Sequence, residues 1–261
     1  MATSRSTAGD PARTLELLWR EPGSTRQSGR GPKQSHNLDE VIDTAIGIAD
    51  ESGLDGVTMR SVAQALRVAP MSIYTYVPGK AELLDLMLDA VYRAMPRPSY
   101  DGKDWRERVT SVARANWDLV MAHPWVATVA TGRPVLGPGL MAKYDHELSA
   151  FDGLGLDDVT VDDALTYVLT FVQATARAAI DARAAARESA MSDAQWWEAN
   201  APLLARVFDE SAFPTAARVG VAAGAAHGSA HDPEHTFEFG LARTLDGIAA
   251  LIEEVNRAGR T

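Results

Sequence analysis

Met71, Ser72, Tyr74, Thr75 and Tyr76 are the side chains whose types and spacing most plainly suit a chemical task, and that task is recognition rather than bond making. They lie in residues 58–80, TMRSVAQALRVAPMSIYTYVPGK, which read as two short helices joined by a tight turn. Val62, Ala63 and Leu66 form an apolar face on the first helix, Val68 sits in the turn, and Ile73 and Val77 make an i, i+4 pair on the second. Those residues pack the helices together. The small polar and aromatic groups left outward include no acid, so they form a surface that phosphodiester oxygens and base edges tolerate.

Other constellations carry less. His227, His231 and His235 recur at intervals of four, the spacing of a metal site if they shared one helix. Gly228 and Pro233 interrupt such a helix, so the stretch reads as a loop and no metal site is assigned. There is no nucleophile elbow, P-loop, GxGxxG or HExxH, and nothing calls for a cofactor or an enzyme. The acid pairs Asp157/Asp158 and Asp162/Asp163 sit where a helix starts, where they complement the helix dipole. A small-molecule pocket is the more useful reading for the second half. Trp117, His123, Trp125, Tyr144, Phe151, Tyr167, Phe171, Gln173 and Arg177 come from helices expected to surround one cavity, with His123, Gln173 and Arg177 as its polar contacts. Plain core packing is the alternative for each.

The elements that must hold these groups are helices throughout; no strand alternation is found. Asn37 and Glu40 form a capping-box-like start to a helix that Gly53 stops, Thr58 caps the next, and Pro70 fits the first turn of the third. A longer amphipathic helix runs from Lys80, with Leu83, Leu84, Met87, Leu88, Val91 and Met95 inward, until Pro96 ends it. Further helices are expected over 105–122, within 125–131, and over 140–151, 158–188, 193–210 and 233–255, with an Ala- and Gly-rich loop at 213–230. Phe237, Leu241, Leu245, Ile248, Ile252 and Val255 form one stripe, open to a monomer core or to a dimer seam.

The totals agree with a head on a body. The chain has 261 residues and 46% hydrophobic content, enough for one sizeable core or two modest ones. Residues 1–80 hold 9 basic and 9 acidic side chains, so the whole net charge of −10 lies in residues 81–261. The chain has no cysteine, which removes disulfides, thiolate zinc sites and cysteine nucleophiles. No apolar run spans a membrane and no secretory h-region is present, so the expected location is the cytoplasm. Residues 1–36 are expected to be a disordered arm; Arg26, Arg30 and Lys33 make it either a basic reach along DNA or a solvated tail.

Residues 37–95 resemble the DNA-binding domain of the tetracycline-repressor (TetR) family of bacterial regulators, through Thr58-x-Arg60, Val62-Ala63, Leu66, Ser72-Ile73-Tyr74-x-Tyr76-Val77 and Lys80-x-x-Leu83-Leu84. The second half is similar to that family's C-terminal domain through His123-Pro124-Trp125, Gly132-Arg133-Pro134 with Gly137-Pro138, and FEFGLARTLDGI at 237–248.

The resemblance implies an all-α chain: an N-terminal three-helix helix-turn-helix DNA-binding domain at 37–96 and a C-terminal helical ligand-binding and dimerisation domain at 97–261. It implies a homodimer on palindromic double-stranded DNA, released by a small-molecule effector; a body that only dimerises is the alternative. By position, Arg60, Pro70, Met71, Ser72, Thr75 and Tyr76 would face bases or neighbouring backbone, and Thr58, Tyr74 and Lys80 would meet phosphates. Lys80 at a helix N-terminus doubly favours an anion. Two departures stand out. Arg67 occupies the turn position where the family carries glycine. Pro96, Val112 and Asn116 replace residues that tetracycline binders use, so tetracycline is not the expected effector.

Overall fold

The structure is a computed structural model that describes residues 11–21, 36–129, 134–228 and 232–258. It is all helical over these residues: α1 (Pro11–Leu18), α2 (Leu38–Gly56), α3 (Met59–Ala65), α4 (Pro70–Ile73), α5 (Lys80–Ala94), α6 (Trp105–Ala122), α7 (Pro138–Leu148), α8 (Asp158–Ser189), α9 (Asp193–Leu204), α10 (Pro214–His227) and α11 (Pro233–Ala258), with 3-10 turns at Pro124–Thr128 and Ser149–Phe151.

The predicted starts hold at the atomic level. Asn37 accepts the Glu40 amide, and Thr58 and Asp104 each close a reciprocal capping box, with Ser61 and Glu107. Gly53 breaks α2 at φ 71°, a left-handed conformation that glycine adopts without a Cβ clash. Only the last residues of α2, after this break, separate it from the α3 cap.

Two apolar cores result. One gathers α1 to α5 and reaches into the body through Leu119, Trp125, Val129 and Val135. The other joins α6, α8 and α11 around Val112, Phe151, Leu165, Val168 and Leu241. Phe237, Leu241, Leu245 and Ile248 are all buried within this second core. The first four residues of the α11 stripe are therefore monomer core, while Ile252 and Val255 are only partly buried, and Phe239 and Tyr167 are among the large side chains left exposed on α11 and α8. Phe171 lies so close to Gly240 that a Cβ there would come within 2.3 Å of its ring, which sets how closely α8 and α11 approach.

Three expectations need correcting. Residues 11–18 are a helix rather than part of a disordered arm, because Leu17 and Leu18 bury against the first core and offset the cost of ordering it; Arg26, Arg30 and Lys33 lie outside the described residues. Residues 214–227 form α10 rather than a loop, since alanine has the highest helix propensity and Pro214 starts the first turn, while Gly228 closes it at φ 64°. The helix expected over 193–210 stops at Leu204, just after the internal Pro202.

Two joints tie the body to α2 and α5. Asp89, buried on α5, accepts the Leu140 amide at 3.0 Å near the start of α7, where a carboxylate suits the helix dipole. A Cβ at Gly139 would lie 2.0 Å from the Asp89 carbonyl oxygen, so this approach requires glycine. Arg97 donates to Tyr92 and Arg93 carbonyls of α5 and to Ala142 on α7. The second joint is Asp50 on α2, one of whose oxygens lies 2.8 Å from both His123 Nδ1 and Trp125 Nε1.

Candidate nucleic-acid interface and effector site

The turn between α3 and α4 positions the residues expected to face DNA. Arg67 takes φ 58°, and the chain folds back with the Val68 amide on the Ala63 carbonyl at 3.0 Å and the Arg67 amide on Gln64 at 3.1 Å. Arginine thus adopts the glycine-type conformation, at a cost of about 1–2 kcal/mol for an L-residue. His36, which the sequence reading passed over, lies with Nε2 3.1 Å from the Leu66 carbonyl and Nδ1 2.6 Å from Glu40, tying the end of α3 to α2.

The second motif helix is a single turn, Pro70–Ile73, followed by turns through Tyr76. Ile73 and Val77 are fully buried, as their spacing predicted, and their burial aims the remaining residues outward. Met71 is 75% exposed, an unusual setting for so apolar a side chain unless something covers it. Arg60, Thr58, Pro70, Tyr74 and Thr75 are also exposed, and Ser72 is half-buried. Thr75 donates to the Ser72 carbonyl at 2.7 Å, leaving its methyl as the free part. Tyr76 packs partly on the first core. Lys80 donates to the Leu54 carbonyl at 3.0 Å, which pins its ammonium beside the N-terminus of α5 with further protons to offer.

The nine residues expected to surround one cavity are dispersed. Trp125 and Phe151 are buried, one in each core. Trp117 and Phe171 flank the Phe237 ring, with centroids 4.4 and 5.9 Å away. Tyr144 donates to Asp162 at 2.6 Å on the surface, which raises its pKa. Tyr167 and Gln173 are exposed on α8, and Arg177 pairs with Asp181 four residues on. His123 is the member that lines the larger cavity.

That cavity, about 660 Å³, opens between the end of α5, the prolines at 96 and 98, and the outer face of α6. The inner face of α6 is filled instead. Asn116 donates to Glu147, which pairs with Lys143 at 2.6 Å, all three buried. Burial, and then Glu147, push the nearby Tyr92 hydroxyl up to about 12, and the same causes act on Tyr100. Lys143 and Glu147 lie four residues apart on α7, but Asn116 and Tyr92 reach them from helices far away in sequence, and no local pattern announced that burial.

Among the described residues no group of three or more side chains could hold a metal ion. His227 ends α10 and His235 belongs to α11, with rings 4.6 Å apart, while His231 lies outside the described residues. No helix described is long and apolar enough to cross a membrane.

Residues 41–87 match the model of bacterial regulatory proteins of the tetR family, and residues 97–252 match the tetracyclin repressor-like C-terminal domain. The chain is 38% identical over 254 residues to the HTH-type transcriptional repressor DrrR1 of Streptomyces coeruleorubidus, covering 97% of this chain and 91% of that protein. It belongs to the TetR family. This TetR-family chain is also similar to apo ActR from Streptomyces coelicolor, with a TM-score of 0.67 at 27% identity over 87% of this chain and 99% of ActR. ActR in complex with actinorhodin gives 0.69 at 27% identity, over 83% and 97%. As a TetR-family member the chain is a DNA-binding transcriptional regulator with a helix-turn-helix head.

Proposed function

We propose that this regulator is a repressor whose homodimer occupies a palindromic operator and is released when a small molecule binds the body. The observation that carries the reading is the joint at Asp50: a head helix is held by two body side chains, His123 and Trp125, and His123 also lines the cavity beside α5. An occupant of the body therefore has a direct mechanical route to the recognition turn.

In this reading Arg60, Pro70, Met71, Ser72, Thr75 and Tyr76 face bases or neighbouring backbone, and Thr58, Tyr74 and Lys80 meet phosphates. Arg60 reads guanine, Met71 and the Thr75 methyl meet thymine methyls, and the pinned Lys80 anchors the backbone. The two heads sit roughly 34 Å apart to enter successive major grooves. Differential effector binding of about 1–3 kcal/mol between the DNA-competent and released states is the ordinary size of such coupling. Functionally the chain divides at residue 96 into a DNA head and an effector and dimerisation body. It works in the cytoplasm and catalyses nothing.

The test is a mobility shift with DNA from upstream of the chain's own coding sequence, at low and moderate salt. Salt-sensitive, sequence-selective binding is expected, and its absence would sink the proposal. A thermal-shift screen against aromatic compounds then separates an effector-bearing body from one that only dimerises, because a saturating ligand raises stability. The complex of ActR with actinorhodin supports the first.

A further inference from the structure

The outer face of α6 carries Glu107, Ser111, Arg114, Asp118 and Ala122 at helical spacings of four and three, and all five line the 660 Å³ cavity. The opposing wall is apolar: Val91 and Met95 from α5 with Pro96 and Pro98. The volume falls within the range of small-molecule sites, and the lining mixes broad apolar walls with a few polar groups, as such sites do.

The polar groups are not equally available. Glu107 accepts the Asp104 amide in the capping box of α6. Arg114 is paired at 2.9 Å with Glu238 of α11, so its charge is already balanced from outside. His123 is held by Asp50. Asp118 has no hydrogen bond or ion pair to another described residue. Among the described residues that line the cavity, Asp118 is thus the charged side chain left without a partner, and it stands opposite the apolar wall.

We propose that this cavity is the effector site and takes a hydrophobic organic cation, a flat apolar body bearing a positively charged N–H group, with that N–H on Asp118 and the apolar part against Met95, Val91 and the prolines. A cation is the chemistry that gains from both features: the carboxylate supplies a charge-assisted hydrogen bond, and the wall removes apolar area from water. An anionic compound of the same shape meets Glu107 and Asp118 with the wrong sign. Seated there, the ligand lies against His123 and so against the contact to Asp50 of the head. This inference rests on the repressor reading and adds the place and the charge of the effector.

The full-length dimer is titrated with rhodamine 6G as the cationic probe and fluorescein as its anionic counterpart, followed by fluorescence anisotropy and by release of operator DNA. Wild-type protein is expected to bind rhodamine 6G, to bind fluorescein at least tenfold more weakly, and to release DNA with the cation. Asp118→Asn is expected to weaken rhodamine 6G about tenfold, the size of one charged hydrogen bond. Ala94→Trp, at an exposed position on the cavity rim, is expected to block the dye, whereas Glu253→Gln, a distant acid on α11, leaves it unchanged. No binding of rhodamine 6G, equal binding of fluorescein, or binding unaffected by both Asp118→Asn and Ala94→Trp overturns the proposal. If rhodamine 6G fails while another compound releases operator DNA, the cavity assignment falls and the repressor reading stands. If no operator DNA is bound at all, the repressor reading itself falls.

Discussion

His123 Nδ1 lies 2.8 Å from Asp50 Oδ1, and this contact crosses from the first residue after α6 to α2, the helix that packs against α3 of the helix-turn-helix. The Trp125 indole donates to the same oxygen from a side chain that is only 2% exposed. Asp50→Ala removes the acceptor and leaves a buried indole N–H unmet, so a loss of about 1–3 kcal/mol is expected in chemical denaturation. Operator release by effector should weaken in the same variant. Unchanged stability together with unchanged release would refute the joint.

Arg67 stores strain in the recognition turn. Arg67→Gly is expected to raise the denaturation midpoint, with a gain of about 1 kcal/mol, because glycine takes φ 58° without a Cβ clash. Arg67→Ala keeps the Cβ and should show no such gain. If alanine stabilises as much as glycine, the effect belongs to the arginine side chain rather than the backbone.

Lys143 and Glu147 are buried together, and removing one partner is worse than removing both. Lys143→Met should cost about 3–5 kcal/mol by leaving a buried carboxylate unpaired. Adding Glu147→Gln should recover most of that loss while keeping an acceptor for Asn116. Equal stability of the single and double variants would argue that water reaches the pair.

The alkaline limb of stability is set in part by Tyr92. Its hydroxyl holds its proton to about 12 in the folded chain, first through burial and then through Glu147, against an ordinary value of 10.0. The unfolded chain therefore releases that proton first, and stability present below pH 10 is lost as pH rises towards 12. Wild type should lose more stability than Tyr92→Phe over that window. Parallel pH profiles for the two would rule the tyrosine out.

Within the head, Arg60 and Tyr74 should fail differently. Arg60→Ala is expected to relax preference at one base-pair position, by roughly 1–3 kcal/mol of discrimination, whereas Tyr74→Phe weakens all sequences alike. Binding of an operator variant library to each protein distinguishes the two. Uniform loss from Arg60→Ala would remove it from the reading set.

Much of the head was legible before any tertiary contact was known. Caps at Asn37 and Thr58, the stop at Gly53, Pro70 in a first turn and the apolar spacing of Ile73 and Val77 are all local, acting within one or two turns of helix. Arg67 was legible as an anomaly, and the structure resolved it as a left-handed residue. The α11 stripe was legible as a packing face, but nothing local said whether α8 or a second chain would cover it.

By itself the sequence determined the all-helical class, the recognition turn and the residues aimed outward from it, since helix period and capping act between near neighbours. Only the tertiary structure decided that α10 is a helix, that Leu17 and Leu18 anchor an N-terminal one, and that Trp125 and Phe151 belong to cores rather than a common pocket. It also placed the open cavity on the outer face of α6, because Asn116, Lys143 and Glu147 fill the inner one. Which face of a helix is filled and which stays open depends on the volumes and charges of partners dozens of residues away, and no local period records them.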